Sequence, residues 1–222
     1  WFLARHTIDL VDRWTGGGNR AGRGAGGAPF FIWHNFWGPH GPYWSPRECI
    51  EPYLDVDIPE WPNYRWPSRR IPGPHHVKIH PRHEQLTWDN WAMDVRHYYA
   101  FASLIDAQVG RMVRHLEDTG VLDNTIVIFA ADHGETCGSH GGLTDKGWHH
   151  FEETHRIPLI VRFPDGRHAG ETITQFASLC DVYPTLCDMA GAEWDAGDVH
   201  GESLLPLIGN RDTPWRDAVF TE

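Results

Sequence analysis

The stretch FAADHGETCGSHGGLTDKGWHHFEETHRIPLIV, Phe129 to Val161, settles how the rest of the chain is read. It leaves an apolar run, TIVIFA (Thr125 to Ala130), and enters Asp132-His133-Gly134. It then crosses glycine-rich polar chain and resumes as the apolar RIPLIVRF (Arg156 to Phe163). The first run is β-branched and continuously apolar, the pattern of a strand buried on both faces. Adjacent side chains of a regular strand point to opposite faces, so Asp132 and His133 share a target only beyond the strand end. Gly134 supplies the backbone freedom for that turn. The carboxyl edge of an α/β sheet is where such folds keep their sites. A carboxylate beside an imidazole at that edge reads as half of a metal site.

Outward from this stretch, helical and strand periods alternate. Thr87 has the character of an N-cap, and the apolar positions Trp88, Trp91, Ala92, Val95, Tyr98, Tyr99, Ala102, Ile105, Val109, Met112, Val113 and Leu116 recur at helical spacing up to Gly120. Such a stripe is a core face. Leu3 to Trp14 predicts an amphipathic helix with Leu3, Ile8, Val11 and Trp14 on one side. A short helix is expected over 181–190 before Gly191, and SLLPLIG (Ser203 to Gly209) makes a further helical turn. Strands are expected at 29–35, 125–131 and 156–163, side by side. Helices interleaved with apolar strands give an α/β class, with a mostly parallel central sheet flanked by helices.

Residues 15–28 form a glycine-rich connector. Its G-x-G-x-x-G match at Gly22, Gly24 and Gly27 is preceded by a helix and followed by a strand, the reverse of a dinucleotide site. Residues 38–81 are proline-punctuated and without sustained period, a long loop.

The composition narrows the function. The chain has 222 residues and a formal charge of −11, which excludes a nucleic-acid binder because no basic cluster offsets it. An anionic substrate remains open where a metal and a few cations reverse the field locally. Cys49, Cys137, Cys180 and Cys187 lack zinc spacing and read as small buried residues. No apolar run has membrane-spanning length. The opening Trp1-Phe2 and the closing Ala218–Glu222 read as elements cut short, so residues 1–222 are expected to be one partial domain, truncated at both ends.

Three places offer chemistry: the Asp132-His133 pair, Lys146 beyond a loop holding Gly138, Gly141 and Gly142, and His40 within NFWGPHGPY (Asn35 to Tyr43). Singly, each has an ordinary structural explanation: a capped turn, a solvated lysine, a packed loop histidine. Together and in this order they carry weight. The segment Pro39-His40 with Pro42-Tyr43, the run YYAFASLIDAQVGRMVRHLEDTGVLDNTIVIFAADHGE, then Lys146, EETHRIPLIV, LCDVYPTLCDMAG and GESLLPLIGN resemble the sulfatase family of the alkaline phosphatase superfamily across nearly the whole chain.

The resemblance implies an alkaline phosphatase/sulfatase-like α/β fold, here incomplete, and hydrolysis of sulfate esters. It implies that Asp132 and His133 ligate a divalent metal, calcium first, with manganese, magnesium and zinc as alternatives. Imidazole at 133 suits softer ions than calcium. It implies that Lys146 contacts the non-bridging oxygens of an anionic sulfate ester, that His40 assists the leaving group, and that His140 lines the pocket. His149, His150 and His155 either reach substrate or pack, Cys137 packs, and Glu135 is solvated. The family's C/S-x-P-x-R nucleophile segment, whose Cys or Ser becomes formylglycine, has no match here and is expected upstream, so the chain alone is expected to be inactive. Phosphonate or phosphate ester hydrolysis within the same superfamily, and a non-catalytic binding module, are the alternatives.

Overall fold

The structure is a computed structural model that describes residues 2–16, 29–66, 83–146 and 150–220. Residues 17–28 of the expected connector and 67–81 of the expected long loop lie outside the described residues, as does His149. The chain divides into two compact units, Trp1–Ile160 and Val161–Glu222.

The first unit is organised by one long helix. Its elements are α1 (Phe2–Thr15), α2 (Arg47–Ile50), α3 (Trp88–Asp118), β1 (Val127–Ala130), α4 (Ser139–Gly142) and α5 (Glu152–His155). Strand β2 (Leu159–Arg162) begins there. Asn90 Oδ1 caps α3 by accepting from the Thr87 backbone N–H at 3.0 Å and from the Thr87 hydroxyl at 3.1 Å. Gly120, with φ 70°, stops it in the left-handed conformation that glycine adopts without steric cost.

The buried positions of α3 are Trp91, Ala92, Val95, Ala100, Ile105 and Gln108. Trp91 is 1% exposed, and Ala92, Val95, Ile58 and Cys137 form a cluster on which Trp61, Trp88 and Tyr98 pack. Removing a core tryptophan of this kind costs about 3–5 kcal/mol. The predicted stripe is therefore the core face, except that Tyr99 points outward while Ala100 and Gln108 are enclosed.

Helix α1 turns a different line inward from the one its hydrophobicity suggests. Ala4, Val11 and Thr15 are buried, whereas Leu3 and Trp14 are exposed. Asp12 explains part of this register, because its Oδ1 lies 2.8 Å from Nε2 of His115 on α3.

Two of the three expected strands form. β1 and β2 make a two-stranded sheet. Residues 29–37 do not join it. Their exposure alternates strictly, with Phe30, Ile32, His34 and Phe36 half-buried and Phe31, Trp33 and Trp37 outward. This is strand periodicity without a ladder, and among the described residues the segment has no backbone hydrogen-bond partner. The expectation of burial on both faces of β1 also fails: Val127 and Ile128 are half-buried, and Phe129 and Ala130 are exposed.

The second unit centres on Asp181, whose side chain is fully buried. Its carboxylate accepts from the Ser178 N–H at 2.7 Å, from the Glu202 N–H at 2.9 Å and from the Arg216 guanidinium. These bonds tie the start of α6 (Val182–Ala190) to the segments around Glu202 and Arg216. Gly191 ends α6 at φ 65°, and Leu205–Leu207 makes the expected turn as a single 3-10 turn.

Candidate active site

His40 sits on a loop between two proline turns and uses both ring nitrogens. Nδ1 lies 2.7 Å from the carbonyl oxygen of Gly41. A carbonyl only accepts, so Nδ1 carries the hydrogen and Nε2 presents its lone pair. Lys146 Nζ, 3.2 Å away, donates to that lone pair across 106 positions of sequence. His133 is held in the same way: Nδ1–H donates to the Gly134 carbonyl at 2.8 Å, leaving Nε2 free and 3.6 Å from Asp132 Oδ2. The His40 and His133 rings meet edge-on with centroids 6.4 Å apart. Asp132 side chain is 86% exposed and receives its own neighbour's backbone N–H from His133 at 3.0 Å. The structure thus brings Asp132, His133, His40 and Lys146 into one cluster.

Asp145 belongs to this cluster and was not singled out in the sequence. Its Oδ1 accepts from the Lys146 backbone N–H at 2.8 Å and lies 3.3 Å from Nζ. Burial pushes this carboxyl up, but the Lys146 backbone N–H and ammonium, with a smaller contribution from His40, outweigh burial and hold it below its ordinary range. Its position beside Lys146 was the available signal, though any Asp-Lys pair carries it.

Glu135 departs from the solvated reading. It is half-buried, and Oε1 accepts the backbone N–H groups of Thr136 at 3.0 Å, Cys137 at 3.3 Å and Asp145. The Thr136 hydroxyl donates to the Asp145 carbonyl at 2.8 Å, closing the same loop from the other side. Three orphan amides converge on one oxygen, which is a stronger demand than solvation. Sequence spacing does not reveal a hydrogen bond that spans ten residues of irregular chain.

Gly134 acts through its missing Cβ. An added Cβ would lie 1.9 Å from the Glu153 carbonyl oxygen, while Gly134 N–H donates to Thr154 O at 2.9 Å and Glu135 N–H to Glu153 O at 3.0 Å. The sequence reading invoked backbone freedom; the structure uses close approach.

His140 is enclosed. Its ring stacks on Phe151 with centroids 3.6 Å apart, and Nε2 lies 3.1 Å from both Glu153 oxygens. Asn63 Nδ2 donates to the same Glu153 at 2.8 Å. None of these partners belongs to the Asp132–His40–Lys146 cluster. His150 and His155 pair with each other, Nδ1 to Nε2, at 3.1 Å. Of the four cysteines expected to be buried, Cys137 is, Cys49 and Cys187 are half-buried and Cys180 is exposed. Burial followed by the nearby Glu135 carboxylate pushes the Cys137 thiol up.

As metal donors, Asp132 and His133 fit half a site. The carboxylate is open to solvent, and the His133 Nδ1 hydrogen bond fixes the tautomer that leaves Nε2 free to ligate. Among the described residues no group of three or more His, Cys, Asp or Glu side chains has ligand geometry. The donor set is thus a pair of one hard oxygen ligand and one borderline nitrogen ligand.

A structural comparison places the chain among known folds. The phosphonate monoester hydrolase of Agrobacterium radiobacter superposes with a TM-score of 0.76 at 26% identity, over 97% of this chain and 43% of that one. The fold is that of the alkaline phosphatase superfamily, an α/β class of hydrolases. A family model described as Sulfatase matches residues 15–192, and the chain belongs to the sulfatase family. An N-acetylglucosamine-6-O-sulfatase of Bacteroides thetaiotaomicron is 39% identical over 138 residues, 61% of this chain and 24% of that protein. An arylsulfatase of Clostridium perfringens is 32% identical over 202 residues, 87% of this chain and 40% of that protein. The chain spans less than half the length of each.

Proposed function

We propose that this chain serves the hydrolysis of sulfate esters. The observation that carries the reading is the meeting of Lys146 with His40 beside Asp132 and His133, from segments 106 positions apart. A tetrahedral anion seated there has an ammonium for its non-bridging oxygens and an imidazole for its bridging oxygen. Fixed charges aimed at developing charge stabilise a transition state more than solvent does. His40 would release its lysine partner and assist the leaving-group oxygen as an imidazolium, with a proton taken from solvent on Nε2 and Nδ1–H still anchored on Gly41. Asp132 and His133 would hold a divalent metal, calcium first, which when bound supplies Lewis-acid charge to the sulfate oxygens and nucleophile. The nucleophile expected from the family is a formylglycine outside this chain.

Phosphonate or phosphate ester hydrolysis is the second reading, favoured by likeness to the phosphonate monoester hydrolase. The test is turnover by the full-length protein of 4-nitrophenyl sulfate against phenyl phosphonate and 4-nitrophenyl phosphate monoesters. Sulfate should be preferred, and Asp132→Ala should lose at least about a hundredfold in kcat/KM together with bound metal. Wild-type turnover and metal content in Asp132→Ala would refute the site. Preference for the phosphonate would select the second reading.

A further inference from the structure

We propose that Glu135 is a positioning residue that sets the distance between Lys146 and the Asp132-His133 pair. The inference rests on the function proposed above and adds a residue to it. Glu135 follows His133 by two positions, so its backbone moves with the pair. Its own N–H is fixed on Glu153 O at 3.0 Å. Its Oε1 reaches across the loop to the N–H of Asp145, the residue before Lys146, while also holding the amides of Thr136 and Cys137. One carboxylate oxygen therefore ties the two halves of the site together from beneath.

A second contact extends the tie to the His40 segment. Tyr43 lies three residues after His40, and its hydroxyl is 3.4 Å from Thr144 Oγ1, next to the amide that Glu135 holds. Burial, and then the charge of Glu135, push the Tyr43 phenol above its ordinary range, which puts the carboxylate beside that ring. Thus the three chain segments that carry the site meet around Glu135, although Glu135 touches none of the four clustered side chains in the described contacts. A residue in this place acts by geometry, and a displacement of about 1 Å between catalytic groups costs about a hundredfold in rate.

Geometry and charge make different predictions for two conservative variants. Glu135→Gln keeps an acceptor oxygen at the same reach without the charge. Glu135→Asp keeps the charge but withdraws the oxygen by one methylene, out of reach of the Asp145 amide. In the full-length protein Glu135→Gln should retain kcat/KM for 4-nitrophenyl sulfate within about tenfold, since neutral acceptors make weaker bonds than charged ones. Glu135→Asp should lose about a hundredfold. In a Lys146→Ala background, Glu135→Asp should add less than about threefold, because the group it positions is gone. Amide hydrogen exchange at Asp145 and Lys146 should quicken in Glu135→Asp and stay slow in Glu135→Gln, a readout independent of turnover. A Gln variant as impaired as the Asp variant, or losses that multiply with Lys146→Ala, would overturn the proposal. Unchanged exchange at Asp145 in the Asp variant would overturn it even if the protein proved not to be a sulfatase. Absent sulfate turnover in the wild type, with the exchange pattern intact, would count against the functional reading alone.

Discussion

Gly134→Ala should separate the two stretches of chain that frame the Asp132-His133 pair. The added Cβ would begin 1.9 Å from the Glu153 carbonyl oxygen, 2.9 Å from its carbonyl carbon and 3.2 Å from Thr154 Cα, all backbone atoms. No rotamer change relieves a backbone clash, so the segments must part until the closest approach reaches about 3 Å, an ordinary steric limit. That displacement is about 1 Å. It stretches both the Gly134 N–H to Thr154 O and the Glu135 N–H to Glu153 O hydrogen bonds out of range. Two backbone hydrogen bonds contribute about 1–3 kcal/mol together, and overpacking adds about 1–3 kcal/mol.

The expected destabilisation is therefore about 2–6 kcal/mol. Where the fold survives, the pair moves relative to Lys146 and turnover falls about a hundredfold. Alanine at 134 carries no backbone strain of its own, because Gly134 is absent from the positive-φ glycines. The effect is thus purely steric. Urea unfolding, and 4-nitrophenyl sulfate turnover by the full-length protein, measure the two consequences. A variant with the wild-type midpoint and wild-type turnover would show that the segments part freely and that the close approach does not set the site.

Three further outcomes follow from other parts of the structure. Asp181→Ala should destabilise the second unit by about 3–5 kcal/mol, read by thermal unfolding, because Arg216 is left beside two unsatisfied amides; a smaller loss than about 1 kcal/mol would refute its central place. Burial, then Cys137 and Glu135, push the Tyr98 phenol up to about 12 from its ordinary 10.0, and the Cys137 thiol is pushed up as well. The unfolded chain then sheds these protons first, so stability should fall as pH rises from about 9 through 12, and a flat urea midpoint over that range would contradict it. Asp145→Asn keeps the acceptor for the Lys146 N–H and tolerates φ 65°, so removing the charge 3.3 Å from Nζ should lower KM for the sulfate ester by up to about fivefold at low salt; an unchanged or raised KM would refute repulsion by this carboxylate.

How much of this was legible in the sequence depended on whether the determinant was periodic or relational. The α3 core face was readable because Trp91, Ala92 and Val95 obey the helical repeat and packing follows it. The strand at 29–35 was misread for the same reason: its alternation is real, but a ladder needs a neighbour, and periodicity says nothing about partners. The cluster of Asp132, His133, His40 and Lys146 entered through resemblance, since nothing in the spacing of His40 and Lys146 places them 3.2 Å apart. Glu135 was missed because its hydrogen-bond partners are backbone amides, which leave no trace in residue identity. Gly134 was rightly singled out for the wrong reason, as glycine in a sequence does not distinguish a needed dihedral from a needed absence.

Charge supplies the last link between fold and function. The chain carries a formal −11, and the clustered side chains do not escape this excess. With imidazoles neutral, Lys146 contributes +1 while Asp132 and Asp145 contribute −1 each, so the cluster is itself net negative. An anionic ester would meet repulsion there unless Lys146 alone faced it. In the proposed function, a divalent ion on Asp132 and His133 changes the sign of this local sum, which is the role bound cations play at phosphate and sulfate sites. In that reading an ion held by the pair and the ester would each lower the electrostatic cost of the other, and linkage makes such a benefit mutual.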